Sequence, residues 1–157
     1  MSGPEINAVV EVAIAALLGA FIGVERSLAG KTAGMRTYAL VSMGSCLLCA
    51  VSILVTSRYI GLTMFDPLRV AAAVVMGVGF IGSGLVVRNE NMPVGLTTSA
   101  GVWVAAAIGI TVAFGYHILA IATTIFIIAI FGGLSKIEEA MENRFGTRKV
   151  ERFVSEE

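Results

Sequence analysis

Charge is scarce in this sequence. Asp, Glu, Lys and Arg make up 14% of 157 residues, where soluble domains carry about one quarter. From Asn91 to Ser135 there is none. A single helix over that span, at about 1.5 Å per residue, would overshoot a hydrocarbon core of about 30 Å, so the chain must turn back within it. Histidine occurs once, as His117, and cysteine twice, as Cys46 and Cys49. A zinc site takes about four ligands, and a lone Cys-x-x-Cys with one distant His does not supply them. The two cysteines lie in the uncharged run Thr37 to Ser57 and share a helix face at i and i+3, which marks them as packing residues, with a lipid-buried redox pair as the alternative. No hydrolytic triad, P-loop or Rossmann fingerprint is present, so the sequence points away from an enzyme and calls for no cofactor. Acidic and basic residues cancel to zero net charge, which offers nucleic acid no electrostatic footprint.

What the sequence has in abundance is apolar surface. Hydrophobic residues are 57% of the chain and mean hydropathy is +0.89, the signature of a membrane protein whose first partner is the lipid bilayer. The fold class expected is an all-α polytopic bundle of about five transmembrane helices, near 8–25, 37–57, 68–87, 96–113 and 115–134. Residues 1–135 form the transmembrane domain and 136–157 a short amphipathic tail, where Ile137, Met141 and Phe145 make an apolar stripe that suits a bilayer surface or a second copy. Asp66-Pro67 fits an N-cap followed by Pro at N1 and fixes the third start. Glu5 and Glu11 stand where a secretory signal would carry Lys or Arg, so the first segment reads as an uncleaved span. With five spans, one side of the membrane collects Arg26, Lys31, Arg36, Arg88, Lys136, Arg144, Arg148, Lys149 and Arg152, against Arg58 and Arg69 opposite. The positive-inside rule then places the N-terminus outside and the C-terminus in the cytoplasm.

Two segments parallel each other. GAFIGVERSLAGKTAGMRT (Gly19 to Thr37) and VGFIGSGLVVRNENMPVGLTT (Val78 to Thr98) each run from Phe-Ile-Gly through a polar loop into Thr, which suggests a parallel repeat of two hairpins, helices 1–2 and 3–4. Small residues recur at helix-packing spacing: Ala15, Gly19 and Gly23 in the first helix, and Gly77, Gly79, Gly82 and Gly84 in the third. In lipid, helices associate by close backbone approach, so the first and third helices are expected to touch.

The repeat gathers Glu25, Arg26, Arg36 and Arg88 near Thr97, Thr98 and Ser99, with Thr37 also among the ligand-binding candidates. Arginine suits bidentate recognition of carboxylate or phosphate. Three readings stay open for this cluster: topology anchoring with lipid-headgroup contact, a Glu25 to Arg36 clamp between hairpin arms, or a solute site. Arg69 joins the ligand-binding candidates. For a metal, carboxylate oxygens around a largely hydrated ion are wanted, and the candidates are Glu11, the sole carboxylate within an apolar stretch, and Asp66, whose other expected role is capping.

The segments GAFIGVERSLAGKTAGMRTYALVSMGS, DPLRVAAAVVMGVGFIGSGLVVR and VGLTTSAGVWVAAAIGITVAFGY together resemble the membrane domain of the MgtC/SapB family, from about Leu18 to Ala120. The resemblance implies a bacterial cytoplasmic-membrane location and a link to magnesium limitation, acid stress or virulence. It also draws notice to Glu25, Arg26, Gly34, Arg36, Thr37, Arg69, Gly79, Gly82, Gly95, Thr97, Thr98 and Trp103. Virulence-type members carry a soluble C-terminal domain, whereas Lys136 to Glu157 is only a tail, so functions resting on that domain do not carry over. Two functions follow as expectations. One is a small transporter or channel-like homo-oligomer, most simply a dimer, for an ion or small solute. The other is a regulatory membrane protein that binds another membrane complex, such as the F-type ATP synthase that the family resemblance brings in.

Overall fold

A computed structural model describes residues 3–59, 66–89 and 92–145. Five helices are long and apolar enough to cross a membrane, so the chain is an all-helical membrane protein. They are α1 (Gly3–Leu28), α2 (Met35–Arg58), α3 (Pro67–Leu85), α4 (Leu96–Ala113) and a fifth span, His117–Glu138. That span opens as α5 (His117–Ala129) and runs without interruption through a π-helical turn, Ile130–Leu134, into α6 (Ser135–Phe145).

The helix ends follow local chemistry. Asp66 is the N-cap of α3, its carboxyl accepting the Leu68 N–H at 2.9 Å, with Pro67 at the first helical position. Between α1 and α2, Gly30 takes a positive φ of 65°, and the Ser27 hydroxyl accepts the Met35 N–H at 3.1 Å. A side chain from the end of α1 thus occupies an otherwise orphaned donor at the start of α2. Helix α3 stops at Leu85, two residues before the end expected from hydropathy. The chain then forms a two-stranded antiparallel hairpin, β1 (Val87–Asn89) with β2 (Met92–Val94), pairing Arg88 with Pro93. Gly95 closes it with φ 94°, where a Cβ would run into the Leu85 carbonyl. Only glycine fits that conformation and that space.

Helices α2 and α4 form the centre, and α1, α3 and α5 pack around them. On α4 the buried residues Gly101, Ala105, Gly109 and Ala113 recur every fourth position. A Cβ at Gly109 would meet the backbone of Ser42 and Cys46, and one at Gly19 the Tyr38 carbonyl and the Ser42 side chain. These are backbone-to-backbone approaches of the kind that hold helices together in lipid. Cys46 and Cys49 are both free and buried in this seam. Two buried hydroxyls are satisfied on their own helix, Ser45 donating to the Val41 carbonyl and Thr124 to that of Ala120, as polar side chains in membrane helices do; those of Ser42 and Ser52 have no partner among the described residues.

The expected packing of the first helix on the third is not a main interface. Both α1 and α3 pack on α2 and α4, and between themselves they share at most a marginal contact among the described residues. The reason lies in which face of α3 turns inward: Val74, Val78 and Gly82, spaced by four, are its buried residues. Gly82 lies against Ser99 of α4, while Gly77, Gly79 and Gly84 have nothing within 4 Å of a would-be Cβ. Among the described residues those three glycines therefore meet no other helix, in contrast to Gly19, Gly23 and Gly82.

Candidate functional site

Arg26 sits in the last turn of α1 and is only 4% exposed. Its Nε and Nη2 donate to the two carboxylate oxygens of Glu25, the Nη2 bond measuring 2.6 Å. The fork geometry of guanidinium matches a carboxylate in this way and cancels the buried charge. The guanidinium also lies over the Phe131 ring, 3.8 Å from its centroid, close enough for a cation–π attraction. Phe131 reaches that position from the π-helical turn, where it is the buried residue. A single wide turn shifts the register of the helix beyond it, a device often found where side chains need re-aiming.

The pocket beneath Phe131 is made by a glycine. At Gly101 a Cβ would collide with the Tyr38 hydroxyl and the Phe131 ring. Tyr38 is fully buried and donates to the Thr98 carbonyl at 3.2 Å. Four helical segments are thereby tied at one end of the bundle: α1 by Arg26, α2 by Tyr38, α4 by Thr98 and Gly101, and the π-helical turn by Phe131.

This cluster keeps part of the expected site. Glu25, Arg26 and Thr98 belong to it; Thr37 is half-buried beside Tyr38 in sequence, and Arg36 and Thr97 are exposed. Among the described residues the partner of Glu25 is Arg26, so the Glu25 to Arg36 clamp is not formed: a neighbour in the chain reaches the carboxylate while Arg36 is turned out to the surface. Arg88 lies in β1, and its side chain is outside the described residues. Arg69 is exposed at the start of α3, the opposite end of the bundle from Arg26, and so cannot join the cluster. Asp66 acts as a cap, with its carbonyl also accepting the Arg69 N–H at 3.1 Å.

At that opposite end Glu11 lines a cavity of about 190 Å³ together with Asn7, Ala8, Ala50, Leu54 and Ala113. An exposed ion pair between Glu5 and Arg58, 2.9 Å long, joins the nearby ends of α1 and α2. His117 opens α5 there, its Nδ1 buried and without a partner among the described residues. No three His, Cys, Asp or Glu side chains come together as a metal cage among the described residues.

Between the two ends runs a row on α2. Tyr38, Ser42, Cys46 and Ala50 recur every fourth residue, and all are buried. Ala50 lines the Glu11 cavity, and Tyr38 belongs to the arginine cluster. Midway, the Ser42 hydroxyl is buried with no partner among the described residues, pressed between Gly19 and Gly109. A buried hydroxyl left unpaired costs about 1–3 kcal/mol, so its retention at the tightest point of the seam calls for a reason.

Sequence patterns alone did not single out Tyr38, Ser42, Gly101, Gly109 or Phe131. A signal existed for the two glycines, in the four-residue spacing of Gly101, Ala105, Gly109 and Ala113. For Phe131 the only hint was Gly132-Gly133 in an otherwise apolar helix.

Comparison with known proteins gives a model match to the MgtC family over residues 12–140. The chain is 42% identical over 136 residues to a protein of Escherichia coli (strain K12) named "Putative magnesium transporter YhiD", covering 81% of this chain and 61% of that one. It is 41% identical over 119 residues to Protein SapB of Bacillus subtilis (strain 168), covering 73% and 51%. To Protein MgtC of Brucella abortus (strain 2308) it is 36% identical over 126 residues, covering 80% and 50%. The chain thus spans between half and about three fifths of the length of these relatives. No solved structure matches it.

Proposed function

The chain belongs to the MgtC family, and from that premise we propose that it is a bacterial inner-membrane transporter or channel-like protein for an ion or small solute, serving magnesium homeostasis. The observation that supports this most directly is the continuous buried row on α2 from the Glu11 cavity through Ser42 to the Tyr38–Arg26 cluster. Two buried hydroxyls of α2 have no partner among the described residues, Ser42 on this row and Ser52 nearer the Glu11 end; such groups are costly in a dry seam, and a path wetted during turnover would give them partners. Glu11 faces outward and Arg26 inward in the orientation that the basic residues favour, with the C-terminus in the cytoplasm.

In this reading the described conformation is closed. Gly19 and Gly109 press on the row from α1 and α4, and Arg26, Glu25 and Phe131 seal the inner end. Opening separates α1 or α4 from α2, and the π-helical turn carrying Phe131 is the element placed to release Arg26. Alternating access by rocking of one helix group against another is the usual form of such motion.

The test is flux into liposomes containing the purified chain, with a magnesium-sensitive dye inside and further ions tried in turn. Uptake is expected, and Ser42→Ala, which removes the hydroxyl and keeps the fit, is expected to slow it by about tenfold, as loss of about 1.4 kcal/mol in the barrier would. No uptake of any ion or small solute under any gradient overturns the proposal.

A second reading is favoured by a different feature. An apolar groove of about 590 Å³ runs between α2 and α3, with Gly44 and Gly77 on its walls, suited to another membrane helix. In that reading the chain regulates a membrane complex, of which the F-type ATP synthase is one. Affinity capture from mild detergent that brings down such a complex at fixed stoichiometry, from a chain silent in the flux assay, supports it; recovery of the chain alone removes it.

A further inference from the structure

Between α2 and α3 the bundle leaves an apolar groove of about 590 Å³, within the roughly 300–1,000 Å³ of ordinary ligand sites. Small residues line it, Gly44 and Ser45 on α2 and Ala73 and Gly77 on α3. A Cβ added at Gly44 or at Gly77 would meet nothing within 4 Å, so the chain itself does not fill the space in front of either. The Ser45 hydroxyl is the one polar side-chain group on the wall, and it donates to the Val41 carbonyl of its own helix at 2.8 Å. An occupant therefore meets only hydrocarbon there.

The length of the groove separates two kinds of apolar occupant. On α2 its wall runs from Leu40 to Leu48, about 12 Å at about 1.5 Å per residue, and on α3 from Val70 to Ile81, about 16 Å. A hydrocarbon core of about 30 Å gives each leaflet about 15 Å. One acyl chain is thus accommodated end to end, whereas a helix crossing the whole core would be seated over about half its length.

Charge at one end completes what a lipid needs. Arg36 lies one turn before Leu40 on α2, and residues four apart share a helix face. It is exposed, makes no ion pair among the described residues, and has no acidic residue beside it in the first turn of α2. Its Cβ points back toward the start of the helix and away from the groove, so the long side chain lifts its guanidinium to headgroup level. A phosphate is the group that a guanidinium there binds in bidentate fashion.

We propose that this groove is a binding site for one anionic phospholipid, whose phosphate rests on Arg36 and one of whose acyl chains lies between α2 and α3 along Leu40, Gly44 and Gly77. The site does not rest on transport. It survives a chain silent in the flux assay, and its loss leaves the path along Ser42 untouched.

The test is native mass spectrometry of the full chain released from detergent, titrated with phosphatidylglycerol or phosphatidylcholine of the same acyl chains. One lipid per chain is expected to stay bound at collision energies that strip the others. Phosphatidylglycerol is expected to be favoured by about fivefold, near what one arginine contributes at a membrane surface. Gly77→Leu puts a side chain into the groove and is expected to lower retention of both lipids at least about tenfold. Gly44→Leu does the same from α2 and decides the matter alone if Gly77→Leu does not fold. Gly79→Leu, the same change on α3 outside the groove, is expected to bind lipid as the native chain does. Arg36→Gln is expected to bring phosphatidylglycerol down to the level of phosphatidylcholine. The site is overturned by equal retention of the two lipids in the native chain, by no lipid outlasting the others, by native retention in a folded groove variant, or by a preference that persists in Arg36→Gln. Capture of a membrane partner that Gly77→Leu abolishes, by a chain that retains no lipid, gives the groove to a partner helix and overturns it as well.

Discussion

Arginine at the end of a membrane helix ordinarily snorkels toward headgroups and water. Arg26 is instead withdrawn, 4% exposed, between a carboxylate and an aromatic face. Removing it leaves Glu25 without its partner and Phe131 without the cation above it. Arg26→Ala is therefore expected to lower stability by about 2–3 kcal/mol, toward the lower side of a broken buried pair because Glu25 is partly open to solvent. Arg36→Ala, at an exposed position, is expected to cost no more than about 0.5 kcal/mol. Thermal unfolding in a fixed detergent separates the two, and equal losses would mean that the Arg26 pair contributes nothing. Tyr38→Phe removes a single buried hydrogen bond, the one to the Thr98 carbonyl, and is expected to cost about 1 kcal/mol in the same measurement. The polar residues of the loop were legible in the sequence because charge is so rare there. The choice of partner was not, since Glu25 has two arginines within reach in the chain and only the packing of α5 against α1 decides between them.

At the scale of elements, the seam between α2 and α4 is set by glycines. Alanine has the better helix propensity by about 1 kcal/mol, so a glycine with open space around it should welcome the change. Gly79 is such a position, with nothing within 4 Å of a would-be Cβ. Gly109 is the reverse, because its Cβ would strike the backbone of Ser42, which no rotamer change relieves. Gly109→Ala is expected to destabilise by about 1–3 kcal/mol, as overpacking does, while Gly79→Ala is neutral or slightly stabilising. A steric-trapping or denaturant titration that ranks them the other way would place α4 elsewhere. The five spans were readable from hydropathy and length, and the start of α3 from Asp66-Pro67. Two features were not. The stop of α3 at Leu85 depends on the hairpin of Val87–Asn89 with Met92–Val94, whose pairing involves only three residues a side. The π-helical turn depends on what Phe131 finds beside it, a pocket opened by Gly101 on another helix, and no local pattern encodes that.

For the whole molecule the open question is what meets the outer face of α3. Its buried stripe is Val74, Val78 and Gly82, and on the far side Met76 and Phe80 are 73% and 83% exposed, beside the uncovered Gly79 and Gly84. Lipid alone can cover such a face. Yet large side chains next to small gaps on one surface can be self-complementary, because a two-fold axis would set the Phe80 of each copy over the glycines of the other. Such a geometry would account for α3 glycines that touch no other helix among the described residues and that were expected, from spacing alone, to pack against α1. A homodimer through α3 is accordingly expected. Phe80→Cys should cross-link two copies under mild oxidation in lipid, whereas a cysteine at Leu17, exposed on α1, should not. Gly79→Leu together with Gly84→Leu should leave the monomer folded, since neither glycine touches another helix, and shift the population from dimer to monomer by at least about tenfold for a loss near 1.4 kcal/mol of association energy. Single-molecule photobleaching in supported bilayers reads that ratio directly. A native chain that bleaches in one step at every density tested would leave α3 facing lipid, and any path through the membrane would then have to lie inside a single copy, along Ser42 and the row on α2.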